Sequence, residues 1–252
     1  MSLLSRSLLL REAALSGSGV RVHDQAAIDP YRASLGFARA ASARGTQIFE
    51  RSRVRRIRQG RRKVELHTAG ATVSASAVVI ATGQPTGDFK ALRRHFKLRD
   101  SYAVVTPPLR AAVRRTLGPP SLILRDTSDH WLRWTPDDRV LFSGAARPTV
   151  SSRARGKTLV QRTGQLMYEL SLLYPTISGT QPEYGWDIIH AHTVDGVPYF
   201  GPHRNYPRHL FALGSGPGGL GLSYLAARLM LRSHQGRPDK GDELFGFTRG
   251  KA

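Results

Sequence analysis

Residues 210–221 read Leu-Phe-Ala-Leu-Gly-Ser-Gly-Pro-Gly-Gly-Leu-Gly, an apolar segment that runs directly into a cluster of glycines. The spacing of apolar residues then predicts a helix from about Leu222 to Leu231. Three of the glycines match the pattern G-x-G-x-x-G between a strand and a helix. A helix N-terminus offers free N–H groups and a dipole that favours an anionic or electron-rich ligand. We therefore predict ligand contact along this turn, at Gly214, Gly216, Gly218, Gly219, Leu220 and Gly221; the alternative is a glycine-rich turn without a ligand.

The sequence after this turn does not complete a mononucleotide-binding unit. Such a unit needs a second strand after the helix, with an acidic residue at its end to bind the ribose. Only 21 residues follow the predicted helix, and they are rich in turn-forming residues. Asp239 lies 20 residues after Gly219, but beside proline, lysine and glycine. The glycine pattern by itself is therefore a weak sign of dinucleotide binding.

Upstream, the sequence predicts alternating helices and strands. Asp29 and Pro30 can begin a helix that ends at Gly45, and a short strand is predicted at Thr46–Glu50. Val54 and Ile57 then predict one strand of a hairpin, whose return strand carries Val64 and Leu66. The segment Ala71–Ala81 ends in an apolar run that suits a strand buried on both faces. It stops at Thr82 and Gly83, where a small residue permits close approach of a ligand or of another segment of backbone.

The middle of the chain has the pattern of an antiparallel sheet. Strand-like segments recur between turns rich in proline, glycine and aspartate. A helix is predicted from Thr158 to about Leu173, and further extended segments at Trp186–His192 and His209–Leu213. The predicted strands of the sheet are Tyr102–Thr106, Ser121–Leu124, His130–Trp134 and Val140–Ser143.

Composition excludes several classes of protein. The chain has 252 residues, 40% of them apolar, which is enough to bury a substantial core. No apolar run approaches the roughly 18 residues of a membrane span, and the N-terminus does not resemble a signal peptide, so a cytoplasmic location is expected. Zero cysteines exclude disulfides, thiolate metal sites and cysteine nucleophiles. His190 and His192 could share a face near Asp187, but without a second ligand cluster we predict no metal site.

The net charge of +20 is the strongest compositional signal. A basic surface attracts nucleic acid, anionic lipid or acidic ligands. The densest cluster holds eight Lys or Arg residues within positions 51–63. It lacks interleaved aromatic residues for base stacking, so a solvated hairpin is the preferred interpretation and a nucleic-acid partner is not expected. A basic binding module stays open as an alternative function.

Five motifs occur in an order that resembles the FAD-dependent oxidoreductases of the D-amino-acid-oxidase superfamily, the group of glycine oxidase and sarcosine oxidase. The resemblance extends from about residue 20 to Arg249. The motifs are the segment DPYRASLGFARAASARGTQIFE (29–50), the V-x-x-I hairpin (54–57), AVVIATG (77–83), TVDGVPYFG (193–201) and GSGPGGLGLSYLAARLM (214–230).

The resemblance implies a two-domain flavoprotein of mixed α/β class. It implies an incomplete Rossmann-like FAD-binding domain over 20–95, a substrate domain with an antiparallel sheet over 96–185, and a return to the FAD-binding domain over 186–252. The backbone at Val54 is implied to lie beside the adenine of FAD. Thr82 and Gly83 are implied to lie near the phosphates, and the turn from Gly216 to Gly221 to face the flavin.

Two departures from the family pattern stand out. The family begins with a strand, a G-x-G-x-x-G turn, a helix and a strand ending in an acid, and this chain lacks them. Either the chain is a truncated form, or a separate polypeptide supplies the missing nucleotide-binding half. In addition, Ile188 stands where the family has the glycine of its W-x-G motif, and its side chain would crowd a close approach on the substrate side.

The implied reaction is hydride transfer from a C–N carbon of an amine or amino acid to the flavin. The flavin supplies the difficult chemistry and the protein supplies position and electrostatics, so no single catalytic residue is assigned. Tyr102, His130, Trp134 and His190 are candidates for the substrate pocket, although packing within the sheet or exposure at the surface is the preferred interpretation of each. The competing hypothesis is a non-catalytic remnant that has kept part of the fold.

Overall fold

The computed structural model describes residues 1–24, 26, 28–118, 122–125, 130–216 and 219–249, with only the backbone described at 122–125. Short 3₁₀ segments lie at Gly87–His95, Pro175–Ile177 and Asp242–Phe245. The helices are α1 (Arg6–Ala13), α2 (Pro30–Ser42), α3 (Ala111–Arg115), α4 (Ser152–Leu173) and α5 (Gly219–His234). The strands are β1 (Ser2–Leu4), β2 (Gly19–Arg21), β3 (Arg56–Gln59), β4 (Val64–His67), β5 (Thr72–Ala75), β6 (Val78–Gly83), β7 (Lys97–Val105), β8 (Leu122–Arg125), β9 (His130–Trp134), β10 (Val140–Pro148), β11 (Tyr184–His192), β12 (Tyr199–His203) and β13 (Tyr206–Leu213).

The chain divides into two compact units. Unit 1 comprises residues 1–27 and 99–189, and unit 2 comprises residues 28–98 and 190–252. Each unit is therefore built from two separate stretches of sequence. The mixed α/β fold with an antiparallel sheet, predicted from the sequence, is confirmed. Among the described residues, no helix is both long enough and apolar enough to cross a membrane.

Unit 1 is built on a five-stranded sheet in the order β11-β7-β10-β9-β8. The pairs of β10 with β7 and β9, and of β8 with β9, are antiparallel. One face packs on α4 through a buried apolar core, because side chains alternate between the faces of a strand. That core includes Val104, Leu132, Phe142, Leu166 and Leu170.

Unit 2 contains two small sheets. In the first, of order β12-β13-β6, β13 pairs antiparallel with β12 and parallel with β6. In the second, β3, β4 and β5 form an antiparallel meander. An aromatic-rich core beneath β13 includes Phe89, Phe211 and Phe247, and a second apolar cluster joins β12 and β13 to α5.

Several local predictions are confirmed. Asp29 caps α2, since its Oδ1 accepts hydrogen bonds from the N–H groups of Tyr31 (2.9 Å) and Arg32 (3.1 Å). The hairpin predicted from Val54 to Leu66 forms as β3 and β4, with Ile57 opposite Leu66. The helix predicted from Thr158 extends one and a half turns further towards the N-terminus, as α4.

Two local predictions are wrong. Residues Thr46–Glu50 form no strand: no neighbouring strand pairs with them, and every one of them is exposed. The apolar run that ends Ala71–Ala81 forms a strand as predicted, β6, after the separate strand β5. The predicted burial of this strand on both faces is wrong, because Val79 is 52% exposed. Among the described residues, β6 pairs only with β13 and therefore forms an edge of its sheet.

We expect Gly144→Ala to destabilise unit 1. A Cβ atom at position 144 would lie 2.2 Å from Cδ2 of the buried His130, so the imidazole or the strand must move. Overpacking of this kind costs about 1–3 kcal/mol. Gly164→Ala in α4 is the control, because its Cβ would meet nothing within 4 Å, and it should gain up to about 1 kcal/mol from helix propensity. Urea unfolding of both variants measures the two effects, and equal free energies of unfolding would contradict the packing at Gly144.

Candidate functional site

The glycine turn between β13 and α5 is fastened to the turn that ends β6. The N–H of Gly214 donates a hydrogen bond of 2.9 Å to the carbonyl oxygen of Gly83. Gly83, Gly214 and Gly216 have φ angles of +72°, +80° and +53°, in the left-handed region that favours glycine. The turns at Gly83 and Gly214 lie about 130 residues apart in the sequence, and they are neighbours in the structure.

One side of this pair of turns is closely packed and the other is open. A Cβ atom at Gly214 would lie 2.8 Å from Cε1 of Phe96 and 3.1 Å from Cγ2 of Thr193. In contrast, a Cβ atom at Gly83 or at Gly216 would meet nothing within 4 Å. The backbone on the open side is therefore accessible to a bound group.

The start of α5 adds to this open surface. The helix begins at Gly219 and has 16 residues, so its first N–H groups and its dipole favour an anionic group nearby. A Cβ atom at Gly219 or Gly221 would meet nothing within 4 Å, and the side chain of Leu220 is 39% exposed. Gly218 lies outside the described residues.

The remaining two predicted cofactor contacts also lie in unit 2. Thr82 is exposed, and its hydroxyl donates a hydrogen bond of 2.8 Å to the carbonyl oxygen of Gln84, which closes the turn after β6. Val54 lies in the segment that leads into β3 and is 40% exposed. The structure thus leaves the backbone of both segments open to a ligand, and their contact with FAD stays a prediction.

The T-x-D-G-x-P motif forms a second well-defined turn in unit 2. Asp195 accepts a hydrogen bond of 3.1 Å from the N–H of Val197, and Gly196 has a φ angle of +74°. The guanidinium of Arg249 binds the Asp195 carboxylate at 2.8 and 3.1 Å. This hydrogen bonding lowers the pKa of Asp195 below its ordinary value, more than partial burial raises it. Sequence reasoning gave no role to Arg249.

Three of the four predicted substrate residues face α4 rather than the opposite face of the unit 1 sheet. Tyr102, His130 and Trp134 are all buried, together with the alternate residues of their strands. Burial raises the pKa of Tyr102, and the nearby Asp100 raises it further. His130 lies 2.6 Å from the Glu169 carboxylate, and the guanidinium of Arg114 lies 4.0 Å above the Trp134 ring. These contacts explain all three residues as parts of the core of unit 1.

The opposite face of this sheet carries polar and aromatic residues that sequence reasoning missed. Trp131 and Arg133 are half-buried and alternate with the buried residues of β9. Trp131 pairs with Ser143, which in turn pairs with Ala103 on β7. The sequence His-Trp-Leu-Arg-Trp contains this alternation, and assigning His130, Leu132 and Trp134 to the core would have pointed to Trp131 and Arg133 on the other face.

His190 lies near the end of β11, at the start of the second stretch of unit 2. Burial, and secondarily the neighbouring His192, lower the pKa of His190 below its ordinary value of 6.5, so the imidazole is neutral at neutral pH. The two rings stand 6.1 Å apart and nearly perpendicular. A neutral, half-buried imidazole can accept a proton or a hydrogen bond.

The basic cluster at positions 51–63 is exposed. Among the described residues, none of its eight cationic side chains forms an ion pair. Ile57 is half-buried against the aromatic core, so Arg56 and Arg58 project from the other face of the meander. Their strand partners on that face are His67 and Glu65. The arrangement is that of a solvated hairpin with a surplus of positive charge.

Comparison with known proteins relates the chain to one family. A family model described as FAD dependent oxidoreductase matches residues 1–232. The chain is 26% identical over 221 residues to the probable oxidoreductase OrdL of Haemophilus influenzae, a match that covers 84% of this chain and 48% of that protein. The chain thus spans about half the length of this curated relative.

Solved structures share the fold. The crystal structure of glycine oxidase from Geobacillus kaustophilus superimposes with a TM-score of 0.77 at 22% identity, over 98% of this chain and 66% of that one. The α-glycerophosphate oxidase of Mycoplasma pneumoniae, solved with FAD bound, gives a TM-score of 0.70 at 17% identity, over 93% of this chain and 64% of that one. At these identities the likeness establishes the fold.

We expect Gly216→Ala to weaken binding of FAD by more than its loss of stability explains. Alanine at φ +53° costs about 1–2 kcal/mol of backbone strain, and its methyl group would project into the open side of the turn, where it obstructs a ligand. Gly236→Ala, at φ +67° with nothing within 4 Å, is the control for strain alone. Thermal unfolding should shift similarly in the two variants, whereas FAD titration should distinguish them. Equal FAD affinities would show that the open side does not receive the cofactor.

Proposed function

The chain belongs to the family of FAD dependent oxidoreductases, and we propose that it supplies the flavin-side turn and the substrate-side sheet of an enzyme that oxidises the C–N bond of an amine or amino acid. The observation that carries the proposal is the hydrogen bond from Gly214 to Gly83, which fastens two glycine turns together beside open space. FAD, when bound, accepts a hydride from the carbon next to the nitrogen, and the resulting imine hydrolyses.

The residues of unit 2 fit a flavin nucleotide. Gly83, Gly216 and Gly219 place no side chain between the backbone and a bound group. The N–H groups at the start of α5 can donate to an electron-rich ring edge, and the helix dipole stabilises negative charge there. The exposed backbone at Val54 and Thr82 is proposed to contact the adenosine and phosphate portions.

Unit 1 is proposed to carry the substrate side. Trp131 and Arg133 lie on the face of its sheet that α4 does not cover, and Arg133 suits an anionic substrate group because its guanidinium presents a planar fork of donors. In unit 2, the neutral imidazole of His190 can accept a proton or a hydrogen bond. The roles of Tyr102, His130 and Trp134 in substrate binding stay predictions. Because these side chains are buried, they can stabilise the sheet by packing on the face that contacts α4.

A complete nucleotide site is proposed to need further residues. The chain spans 48% of the curated relative, and among the described residues no strand follows α5. A separate polypeptide that supplies the contacts to the pyrophosphate stays a proposed partner. The free edge of β6, where Val79 is exposed, offers backbone groups to which such a partner could add a strand. A cytoplasmic location also stays a prediction.

The alternative function is a non-catalytic basic binding module. The eight exposed cationic residues at 51–63, which form no ion pair among the described residues, favour it. A polyanion bound there would release counterions, so its affinity would fall steeply with salt. Fluorescence anisotropy with a labelled oligonucleotide at two salt concentrations therefore tests this alternative independently of flavin.

The test of the proposed function is the visible absorption spectrum of the purified chain with and without added FAD. We expect a protein-bound flavin band that survives gel filtration and bleaches anaerobically with amines or amino acids. The paired control substrate is glycerol phosphate, which offers a C–O rather than a C–N bond. A colourless protein that shows no bound flavin band after FAD is added would contradict retention of the cofactor by this chain. Bleaching of the flavin by glycerol phosphate, but not by amines or amino acids, would contradict the substrate class.

A further inference from the structure

Arg249, near the end of the described residues, makes several hydrogen bonds to one turn of the backbone. Its Nε and Nη2 donate to the two carboxylate oxygens of Asp195 at 2.8 and 3.1 Å. Its Nη1 donates to the carbonyl oxygen of Pro198 at 2.6 Å, and its Nη2 also donates to that of Val197. The side chain is only 11% exposed. A single guanidinium thus binds the whole turn from residue 195 to residue 198.

The aromatic core holds Arg249 in place. Its guanidinium lies 3.6 Å from the centroid of the Tyr199 ring. The Tyr199 ring also stacks on Phe247, with centroids 4.7 Å apart and planes 12° from parallel. Phe247 is buried against Phe211 of β13. The segment 247–249 is therefore anchored in the core of unit 2, and its arginine has little freedom to leave the turn.

The clamped turn abuts the glycine turn. Thr193 lies two residues before Asp195, in the backbone that leads directly into the clamped turn. Its methyl group lies 3.1 Å from the position that a Cβ atom of Gly214 would occupy. Gly214 is in turn hydrogen-bonded to Gly83. The clamp of Arg249 on Asp195 is therefore connected to the two glycine turns through the backbone from Asp195 to Thr193 and the contact of Thr193 with Gly214.

We propose that Arg249 is a positioning residue, which holds the turn at 193–198 against Gly214 and so fixes the glycine turn in the conformation that receives the cofactor. This inference rests on the proposed function in one respect, namely that the ligand of the glycine turn is FAD. Arg249 itself touches neither glycine turn in the contacts described, so its effect must pass through Asp195 and Thr193.

A second arginine in the same unit provides a matched control. Arg232 also binds one carboxylate through two nitrogens, with its Nε 3.0 Å from Oδ2 of Asp242, and its side chain is 25% exposed. Its partner Asp242 lies in the 3₁₀ segment Asp242–Phe245 and not in the 193–198 turn. Removing either arginine deletes a bidentate ion pair from unit 2, but only Arg249 touches the turn beside Gly214.

The first readout is amide hydrogen exchange of the chain without FAD, in Arg249→Ala, Arg249→Lys and Arg232→Ala. We expect Arg249→Ala to speed exchange at residues 193–198 and 214–216 by roughly tenfold, because loss of the clamp lets these turns open locally. Arg249→Lys should recover part of the protection, since one ammonium can still bind Asp195. Arg232→Ala should leave these residues unchanged. Equal exchange at 214–216 in all three variants would overturn the proposal.

The second readout is the affinity for FAD. If the chain binds FAD, Arg249→Ala should weaken binding by roughly tenfold, Arg249→Lys by less, and Arg232→Ala hardly at all after matching for thermal stability. A chain that binds no FAD but shows the expected exchange pattern would overturn the proposed function while supporting the positioning role. If both alanine variants bind FAD more weakly and lose the same stability, Arg249 stabilises unit 2 in general and does not position the glycine turn, which would overturn the proposal.

Discussion

The hydrogen bond from the N–H of Gly214 to the carbonyl of Gly83 is the constraint on which the rest of unit 2 depends. It forms where the chain passes beside Phe96 and Thr193 too closely for a Cβ atom, with φ at +80°. Both requirements select glycine. The bond continues the parallel pairing of β6 with β13, and α5 begins five residues after Gly214, at Gly219.

The sequence predicts those parts of the fold in which local physics and tertiary packing agree. The Asp29 cap, the hairpin at β3 and β4, and the run into Gly83 are all local signals. Thr46–Glu50 has the composition of a strand, but among the described residues no strand pairs with it, so composition misleads there. His130 and Trp134 show a different limit: an aromatic or titratable side chain on a half-buried strand can face either side, and only the packing of α4 decides which. The contacts of Arg249 join residues more than fifty positions apart, and no local pattern indicates them.

Arginine has two kinds of role in this basic chain. At Arg114 above Trp134 and at Arg249 above Tyr199, the planar guanidinium packs on a ring and satisfies acceptors at its edge. Lysine could replace such contacts only in part, because an ammonium lacks the planar fork of donors. The arginines of residues 51–63 remain in solvent without ion-pair partners among the described residues. The net charge of +20 therefore reflects structural clamps as well as surface charge, which weakens any inference about function from charge alone.

The central claim is that the turns at Gly83 and Gly214 form one surface that receives FAD. Hydrogen exchange of the wild-type chain with and without FAD tests it most directly, because the two turns are far apart in sequence and are read out separately. The account predicts protection by FAD at residues 82–84 and 214–216 together, with the face of α4 in unit 1 unchanged. Protection at only one turn, or none at either while FAD stays bound, would contradict it.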